Sequence, residues 1–341
     1  QPQSSVECSQ YLDEKTVKLM FQPWNILRGG RNLFRLYEEL IEKYPQAIVI
    51  ARHHFHVLAA NSAGFTNIRY LVPSVISNQF SAEIDRLDSL ARRAAQLQVS
   101  LNSLMQARAF DKSQLFVFSE LMRNQVAKVI GRSDNVQKVN IVKPGIDWTR
   151  FYKIDVIRKT QLRRHLRLPT DKKIFLFVGR FVHAKGLDIL IEASEHLLRS
   201  HLLILIGDGP LKQYLNTKIN QKSLGERIMV LDPLYRVEDY YQACDIFVMP
   251  SLYEPLGQVI LEAIASGMRV VAFHKNAQVD TATHELGLDM VIDYAMEKTA
   301  GALANAMLIS GSQRPSDDGD DILRGQLRSF KWEVLLGDLL E

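Results

Sequence analysis

The stretch from Asp245 to Phe273 constrains the fold of this chain most strongly, because it reads as one complete strand–loop–helix–strand unit. The apolar run from Ile246 to Met249 has the length of a buried strand, and Val270 to Phe273 is a second such run. Between them, Gln258 to Ser266 is rich in Ala, Ile and Leu and is followed by Gly267, a residue type that favours helix ends. A unit of about 30 residues has the size of a βαβ crossover, so we expect two parallel strands.

Two carboxylates frame the loop of this unit. Glu254 lies before the helix and Glu262 lies inside it, with seven residues between them. Gly257 allows a ligand to approach the backbone closely, and the N–H groups at the start of the helix suit a phosphate. A carboxylate one turn further along can accept hydrogen bonds from the vicinal hydroxyls of a ribose. The spacing fits a sugar-nucleotide site, but it fits equally a solvated Glu254 and a Glu262 satisfied by its neighbours.

The segment E-P-L-G-Q-V-I-L-E-A-I-A-S-G closely resembles the E-x7-E signature of retaining glycosyltransferases of family GT4, which have the GT-B fold. The resemblance implies an α/β protein of two Rossmann-like domains, with parallel sheets that face each other across a cleft. It implies that Glu254 faces the transferred sugar and that Glu262 holds the nucleoside. It also assigns donor binding to the residues at the start of the helix, namely Leu256, Gly257 and Gln258.

A second motif supports the same resemblance. Gly179 to Gly186 reads G-R-x4-K-G, directly after the apolar strand Lys173 to Val178. Arginine and lysine on such a loop can neutralise a diphosphate, although on a surface loop they are more often simply solvated. The motif resembles the donor-phosphate pair of the family, which implies that Arg180 and Lys185 bind and stabilise the departing diphosphate.

The first half of the chain resembles the family less closely. Val17 to Phe21 is a predicted strand, and a loop with Gly29 and Gly30 follows before a helix from Asn32 to Tyr44. By resemblance, the backbone of Gly30 reaches the donor phosphate across the cleft, although a Gly-Gly pair is more often just a tight turn. The segment Val72-Pro73-Ser74 lacks the histidine that the family commonly places there to contact the donor sugar.

Three histidines, His53, His54 and His56, follow the predicted strand Ala47 to Ala51. Ligand sites in open α/β sheets lie at the carboxyl ends of strands, so one of the three is expected to face the substrate. His54 is the candidate catalytic residue among them. Two alternatives stay open: packing or solvation of the rings, and a metal cluster, which would usually recruit Asp, Glu or Cys as well.

Length and composition place limits on the organisation and the partners of the chain. Its 341 residues allow two domains, which we place at 1–150 and 151–325, with a helix over 326–341 returning to the first. Residues 1–150 hold 19 Lys and Arg against 13 Asp and Glu, a net charge of +6, whereas the remainder carries −2. This charge favours an anionic acceptor or a membrane surface, or is an ordinary solvated surface; it is too small to indicate nucleic acid.

The sequence contains no feature that predicts a membrane span or a secretory signal. No apolar run approaches the length of a spanning helix, and residues 1–16 lack an apolar core. Cys8 and Cys244 have no motif spacing, so a cytoplasmic location is expected. Ala82 to Ala109 is a long helical run with arginines, which leaves open a peripheral contact with the inner face of a membrane.

These features together predict a retaining glycosyltransferase that moves a hexose from a nucleotide-diphosphate sugar to a hydroxyl of a sugar, glycan or lipid-linked acceptor. No DxD-type pair is present in a convincing context, so we expect no metal and no other cofactor. Cationic side chains and helix N-termini would stabilise the diphosphate instead. Two alternatives are a sugar-phosphate phosphorylase of the same architecture and a non-catalytic subunit that binds nucleotide sugars.

Overall fold

The structure is a computed structural model that describes residues 23–78, 89–131, 139–312 and 325–341. The elements of the first half are α1 (Pro23–Lys43), β1 (Val49–Ala51), α2 (His54–Ala63), β2 (Ile68–Leu71), α3 (Ser89–Phe110), β3 (Gln114–Val117), α4 (Glu120–Ile130) and β4 (Val139–Ile141). Strands β1 to β4 form one parallel sheet in chain order. Helices α2 and α3 pack on each other and α1 packs on α2, so a helical layer covers this sheet.

The second half forms a larger α/β unit. Its helices are α5 (Val156–His165), α6 (Leu187–Ser194), α7 (Lys212–Gln221), α8 (Glu238–Ala243), α9 (Gln258–Ala265) and α10 (Ala300–Ser312). Its strands are β5 (Lys173–Val178), β6 (His201–Ile206), β7 (Ile228–Leu231), β8 (Ile246–Met249), β9 (Tyr253–Glu254), β10 (Arg269–Phe273), β11 (Asp280–Thr281) and β12 (Ile292–Ala295). Short 3-10 turns lie at His183–Lys185, Thr283–Leu286 and Asp289–Val291.

The strand order of the second sheet determines where a ligand can bind. The six strands are parallel and lie in the order β12-β10-β8-β5-β6-β7. From β5 the chain adds β6 and then β7 on one side of the sheet. It then crosses to β8 on the other side of β5 and adds β10 and β12 beyond it. Loops that leave two such strands on opposite faces open a crevice at their carboxyl ends, the usual ligand site of open α/β sheets. The crevice lies between β5 and β8.

Helix α11 (Trp332–Leu340) connects the end of the chain to the first sheet. Leu335 and Leu339 pack with Leu71, Phe116 and Val142 on the face of that sheet opposite the other helices. A bridge between Ile146 and Lys331 precedes the helix, and the Arg69 guanidinium donates a hydrogen bond to the carbonyl of Leu339. The parallel α/β architecture with two sheets confirms the predicted fold class.

The prediction of a loop around Gly30 is wrong. Helix α1 is continuous from Pro23 to Lys43, so Gly29 and Gly30 lie inside a helix. Each costs about 1 kcal/mol relative to alanine there, yet proline is favoured at a first helical position and Leu33 and Tyr37 are buried further along. Helical N–H groups in the interior bond to the preceding turn, so the Gly30 amide is not available to a phosphate. The predicted strand Val17 to Phe21 lies outside the described residues.

Two further features of the architecture bear on the predicted organisation. Helix α5 lies at the start of the predicted second domain, and its buried Arg163 bonds to Asp245 at 2.7 Å. Among the helices that the structure describes, none combines the length and the apolar composition needed to cross a bilayer.

Candidate functional site

The crevice between β5 and β8 brings together the two motifs found in the sequence. The loop with Arg180 and Lys185 leaves the carboxyl end of β5, and the loop with Glu254 and Gly257 leaves that of β8. The backbone N–H of Leu252 donates to the carbonyl of Ala184 at 2.8 Å, which ties the two loops together. Strand pairing and this hydrogen bond thus bring together loops that are about seventy residues apart in the chain.

Lys185 and Glu254 form an ion pair across the two loops. The lysine Nζ contacts Glu254 Oε2, and the two side chains are 21% and 9% exposed. The other oxygen, Oε1, accepts a hydrogen bond from the Gly257 N–H at 3.2 Å. Gly257 itself has φ of 80°, in the left-handed region that favours glycine, and immediately precedes helix α9. The carboxylate therefore fixes both the lysine and the start of the helix.

The rest of the predicted donor-binding segment lies around the start of α9. Leu256 is half-buried beside Gly257, and the Gln258 side-chain amide donates to the carbonyl of Gly145 at 2.9 Å. Gln258 therefore connects the helix to the segment where the chain crosses between the two sheets. Arg180 is exposed on the neighbouring loop and forms no ion pair within the described residues. An exposed guanidinium with no ion pair there can bind a doubly charged anion.

Glu262 lies one turn into α9 and is largely buried. Its Oε2 accepts a hydrogen bond from the hydroxyl of Tyr241 at 3.1 Å, and Tyr241 is completely buried. Burial raises the pKa of Glu262 to about 7, although the Tyr241 hydrogen bond and the Arg150 charge act in the opposite direction. Arg150 lies nearby, where it pairs with Glu238 at 2.7 Å. Glu262 is consequently poised to change its charge near neutral pH.

The raised pKa of Glu262 predicts that stability falls as the pH rises. The folded value of about 7 exceeds the ordinary 4.5, so between these values the native state holds a proton that the unfolded chain has lost. One pKa unit corresponds to about 1.4 kcal/mol, so the loss over this window is on the order of 3 kcal/mol. Glu262→Gln keeps an acceptor for Tyr241 without the charge and should lack this loss.

Urea unfolding of the ligand-free wild type and of Glu262→Gln at pH 5 and pH 8 measures the difference. The variant should gain stability over the wild type at the higher pH. Glu226→Gln, a change at an exposed glutamate of the same domain, is the matched control and should follow the wild type. Parallel pH dependences for all three proteins would show that Glu262 has an ordinary pKa.

The first domain directly contacts the loop that carries Tyr253 to Gly257, which we call the donor loop after its predicted role. Ser119 caps helix α4, accepting from the Met122 N–H at 3.2 Å, and its hydroxyl donates to the carbonyl of Pro255 at 2.8 Å. The Tyr253 hydroxyl bonds to Gln125 Oε1 at 3.1 Å. The Glu285 carboxylate accepts from the first backbone N–H groups of α4, including that of Leu121 at 3.0 Å. The two domains are therefore closed on one another at this loop.

His54 is buried away from these contacts. It is 2% exposed, begins helix α2 and stacks on His53 with ring centroids 4.2 Å apart. Burial lowers its pKa to about 3, so the ring is neutral at pH 7 and supplies no charge to a diphosphate. Within the described residues, the His54 Nε2 has no hydrogen-bond partner. Among the same residues, no hydrogen bond or ring contact connects His54 to the second domain. The substrate contact assigned to His54 stays a prediction without structural support.

The other two histidines have local structural roles. His53 caps α2 by accepting from the Phe55 N–H at 3.3 Å, and His56 Nδ1 bonds to the Tyr37 hydroxyl at 3.0 Å. In the described part of the chain, no three His, Cys, Asp or Glu side chains are grouped as metal ligands. The three histidines follow strand β1, as the sequence indicated, and helix α2 begins at His54.

Several residues at the site were not identified from the sequence. Tyr241 and Arg150 surround Glu262, while Ser119 and Glu285 connect the domains. Ser119 could have been found, because a serine directly before a helical segment is a typical N-cap. Glu285 and Tyr241 carry no such local signal, since their roles depend on partners more than twenty residues away in the chain.

Comparison with known proteins identifies the second domain. Residues 158–307 match the sequence model of the family described as Glycosyl transferases group 1. An uncharacterized glycosyltransferase of Methanocaldococcus jannaschii is 26% identical over 256 residues, which is 72% of this chain and 62% of that protein. A D-inositol 3-phosphate glycosyltransferase of Xylanimonas cellulosilytica is 33% identical over 147 residues, 40% of this chain and 35% of that protein. The chain thus spans less than two thirds of both relatives.

The fold comparison covers both domains. The crystal structure of Anabaena HepE in complex with UDP and glucose superimposes with a TM-score of 0.67 at 17% identity, over 92% of this chain and 82% of that one. At this identity the match shows the fold, which is that of the GT-B glycosyltransferases and confirms the fold expected from the motifs.

Proposed function

Because residues 158–307 form a glycosyl transferases group 1 domain within a GT-B fold, we propose that this protein transfers a hexose from a nucleotide-diphosphate sugar to a hydroxyl acceptor. The observation that carries the proposal is the meeting of the Arg180–Lys185 loop with the Glu254 loop in the crevice between β5 and β8. Two cations and one carboxylate then lie on these two loops, and helix α9, whose N-terminus follows the second loop, carries the other carboxylate. That is the set a sugar nucleotide needs.

Each group has a distinct task in the proposed reaction. Arg180, Lys185 and the start of α9 stabilise the negative charge that grows on the departing diphosphate, which lowers the barrier to breaking the glycosidic bond. Glu262 accepts hydrogen bonds from the ribose hydroxyls. Glu254, beside the phosphate-binding groups, faces the transferred sugar once the diphosphate draws Lys185 to itself. Retention of configuration and independence from metal follow from the resemblance to GT4 enzymes.

The acceptor and the sugar are open within this proposal. The first domain supplies the acceptor side, and the acceptor is a sugar, glycan or lipid-linked hydroxyl. Because a fold neighbour was solved with UDP and glucose, UDP-glucose is the first donor to test, followed by GDP- and ADP-sugars.

Slow hydrolysis of candidate donors tests the function without a known acceptor. One nucleotide-diphosphate sugar should release its nucleotide, and the release should continue in excess EDTA because side chains supply the positive charge. The nucleotide at a hundred times its Kd should add about 2.7 kcal/mol to stability. Loss of activity in EDTA, with recovery on adding Mn²⁺ or Mg²⁺, would contradict metal independence.

The same measurements distinguish the alternative functions. Stabilisation by inorganic phosphate but by no nucleotide would indicate a sugar-phosphate phosphorylase. Nucleotide binding without release from any donor would indicate a non-catalytic subunit.

A further inference from the structure

Helix α3 carries three exposed leucines that no part of the proposed reaction uses. Leu97, Leu101 and Leu104 are 63%, 55% and 52% exposed, although leucine in a helix of a globular domain normally faces the core. At 100° per residue the three lie within an arc of about 60° and extend about 10 Å along the helix. We call these three side chains the leucine face.

The side of α3 opposite the leucines is buried, so the helix is not simply exposed on all sides. The residues that pack inward at the end of the helix are Gln106, Ala109 and Phe110, each less than 5% exposed. On the outer side, Gln96, Gln98 and Ser100 are exposed on either side of the leucine face. The leucines therefore occupy the centre of the solvent-facing arc, while a glutamine occupies the buried side.

The charge of α3 has a single sign. The helix contains three arginines, at positions 92, 93 and 108, and no aspartate or glutamate over its 22 residues. Arg93 and Arg108 are exposed and lie within about 80° of arc with the leucines, at opposite ends of the stripe and about 22 Å apart. Neither forms an ion pair within the described ranges. The outer surface is thus an apolar stripe with a positive charge at each end.

The geometry points to an anionic phospholipid surface as the partner of this face: we propose that α3 lies in the membrane interface, with its leucines among the acyl chains and its arginines at the headgroups. Long arginine side chains can keep their charge in water while the helix sinks into the interface. A bilayer needs no complementary groove, which suits a single convex helix. The complementarity in charge favours anionic lipids.

A second copy of the chain fits this face less well. A symmetric dimer would place the same patch on both sides of the interface. Arginines would then meet arginines, and α3 has no acidic residue to pair with them. Self-association through the leucine face would therefore bring like charges together.

The position of α3 connects such a contact to the proposed site. The Gln106 side chain accepts from the Ile76 N–H at 3.0 Å and donates to the Ser74 carbonyl at 2.8 Å, so it holds the segment that follows β2. That segment in turn contacts Tyr253 of the donor loop through Val75. The exposed side of α3 is thus connected to the donor loop through Gln106 on its buried side.

Co-sedimentation of the full chain with vesicles tests the proposal. The wild type should bind vesicles of phosphatidylcholine with about a third phosphatidylglycerol, and should bind pure phosphatidylcholine at least tenfold more weakly. The triple change Leu97→Gln, Leu101→Gln and Leu104→Gln should reduce binding to the anionic vesicles by a hundredfold or more, because it removes the three apolar side chains that would enter the membrane. Arg93→Gln with Arg108→Gln should reduce it by about twentyfold, roughly fivefold for each charge.

Two matched controls lie next to each other in the second domain. Leu198 is 61% exposed, and Arg199 is also exposed, so Leu198→Gln and Arg199→Gln should bind vesicles like the wild type. An unchanged thermal midpoint in every variant establishes that the fold is intact. Equal binding to neutral and anionic vesicles, undiminished binding by the triple variant, or no binding at all would overturn the proposal. A wild-type dimer that dissociates in the triple variant would assign the face to a second copy instead.

Discussion

Arg180→Ala is expected to slow the proposed hexose transfer by a hundredfold or more while leaving the free energy of unfolding within about 0.5 kcal/mol of the wild type. The guanidinium is exposed and forms no ion pair within the described residues, so its removal breaks no contact of the fold. Its expected partner is the diphosphate, and the loss of one preorganised charge is most severe where negative charge develops. The change should lower kcat and weaken nucleotide binding.

Arg164→Ala is the matched control for this prediction. Arg164 is an exposed arginine on α5 with no ion pair in the part of the chain that the structure describes. Donor hydrolysis and nucleotide titration should separate the two variants by two orders of magnitude. Equal rates and affinities for Arg180→Ala, Arg164→Ala and the wild type would remove Arg180 from the site.

Lys185→Ala should reduce transfer similarly, but with an additional effect on stability. Its Nζ pairs with the 9% exposed carboxylate of Glu254, and removing the lysine leaves that charge without its partner. Combining Lys185→Ala with Glu254→Gln removes the charge as well. The double variant should recover stability without recovering activity, which separates the structural consequence of the pair from its catalytic one.

Gly186→Ala is expected to destabilise the second domain by about 4 kcal/mol. Gly186 has φ of 64°, and a Cβ at this position would lie 1.9 Å from the backbone carbonyl oxygen of Pro250. Left-handed strain costs about 1–3 kcal/mol and overpacking costs a similar amount, because a backbone atom cannot rotate away. The clash would also push the Arg180 loop away from the donor loop, so transfer should fall as well.

Gly287→Ala separates the steric clash from the backbone strain. Gly287 has φ of 67°, but nothing lies within 4 Å of a Cβ built there. Its substitution should cost about 1 kcal/mol, the strain alone. Urea unfolding of both variants measures the difference. Similar losses for Gly186→Ala and Gly287→Ala would mean that the close approach of Pro250 does not hold in solution.

Local patterns were sufficient to predict the elements that carry the donor motifs. Helix α9 begins at Gln258 and ends at Ala265, one residue before the predicted end, and β8 spans Ile246–Met249 as predicted. These elements depend on apolar periodicity and on glycines at the helix ends, which are properties of adjacent residues. The fold class followed from the βαβ unit and from the motif resemblance.

The same local patterns were insufficient for the first domain. Gly29 and Gly30 read as a loop because glycine weakens a helix, yet α1 continues through them, with Leu33 and Tyr37 buried further along. Propensity is a small term that tertiary packing can override. His54 was predicted to face the substrate after a strand; it is 2% exposed and begins helix α2, and its substrate contact stays a prediction.

The sequence by itself determined where the charged side chains lie along the chain. Glu254 and Glu262 lie before and within α9, and Arg180 and Lys185 follow β5. Only the tertiary structure decided that these loops meet, because the order β8-β5 in the sheet depends on strand pairing between distant segments. It also decided that Lys185 pairs with Glu254, that Tyr241 lies against Glu262, and that the leucines of α3 face outward. A helical period defines a face, but only the packing of the remaining chain determines whether that face is covered.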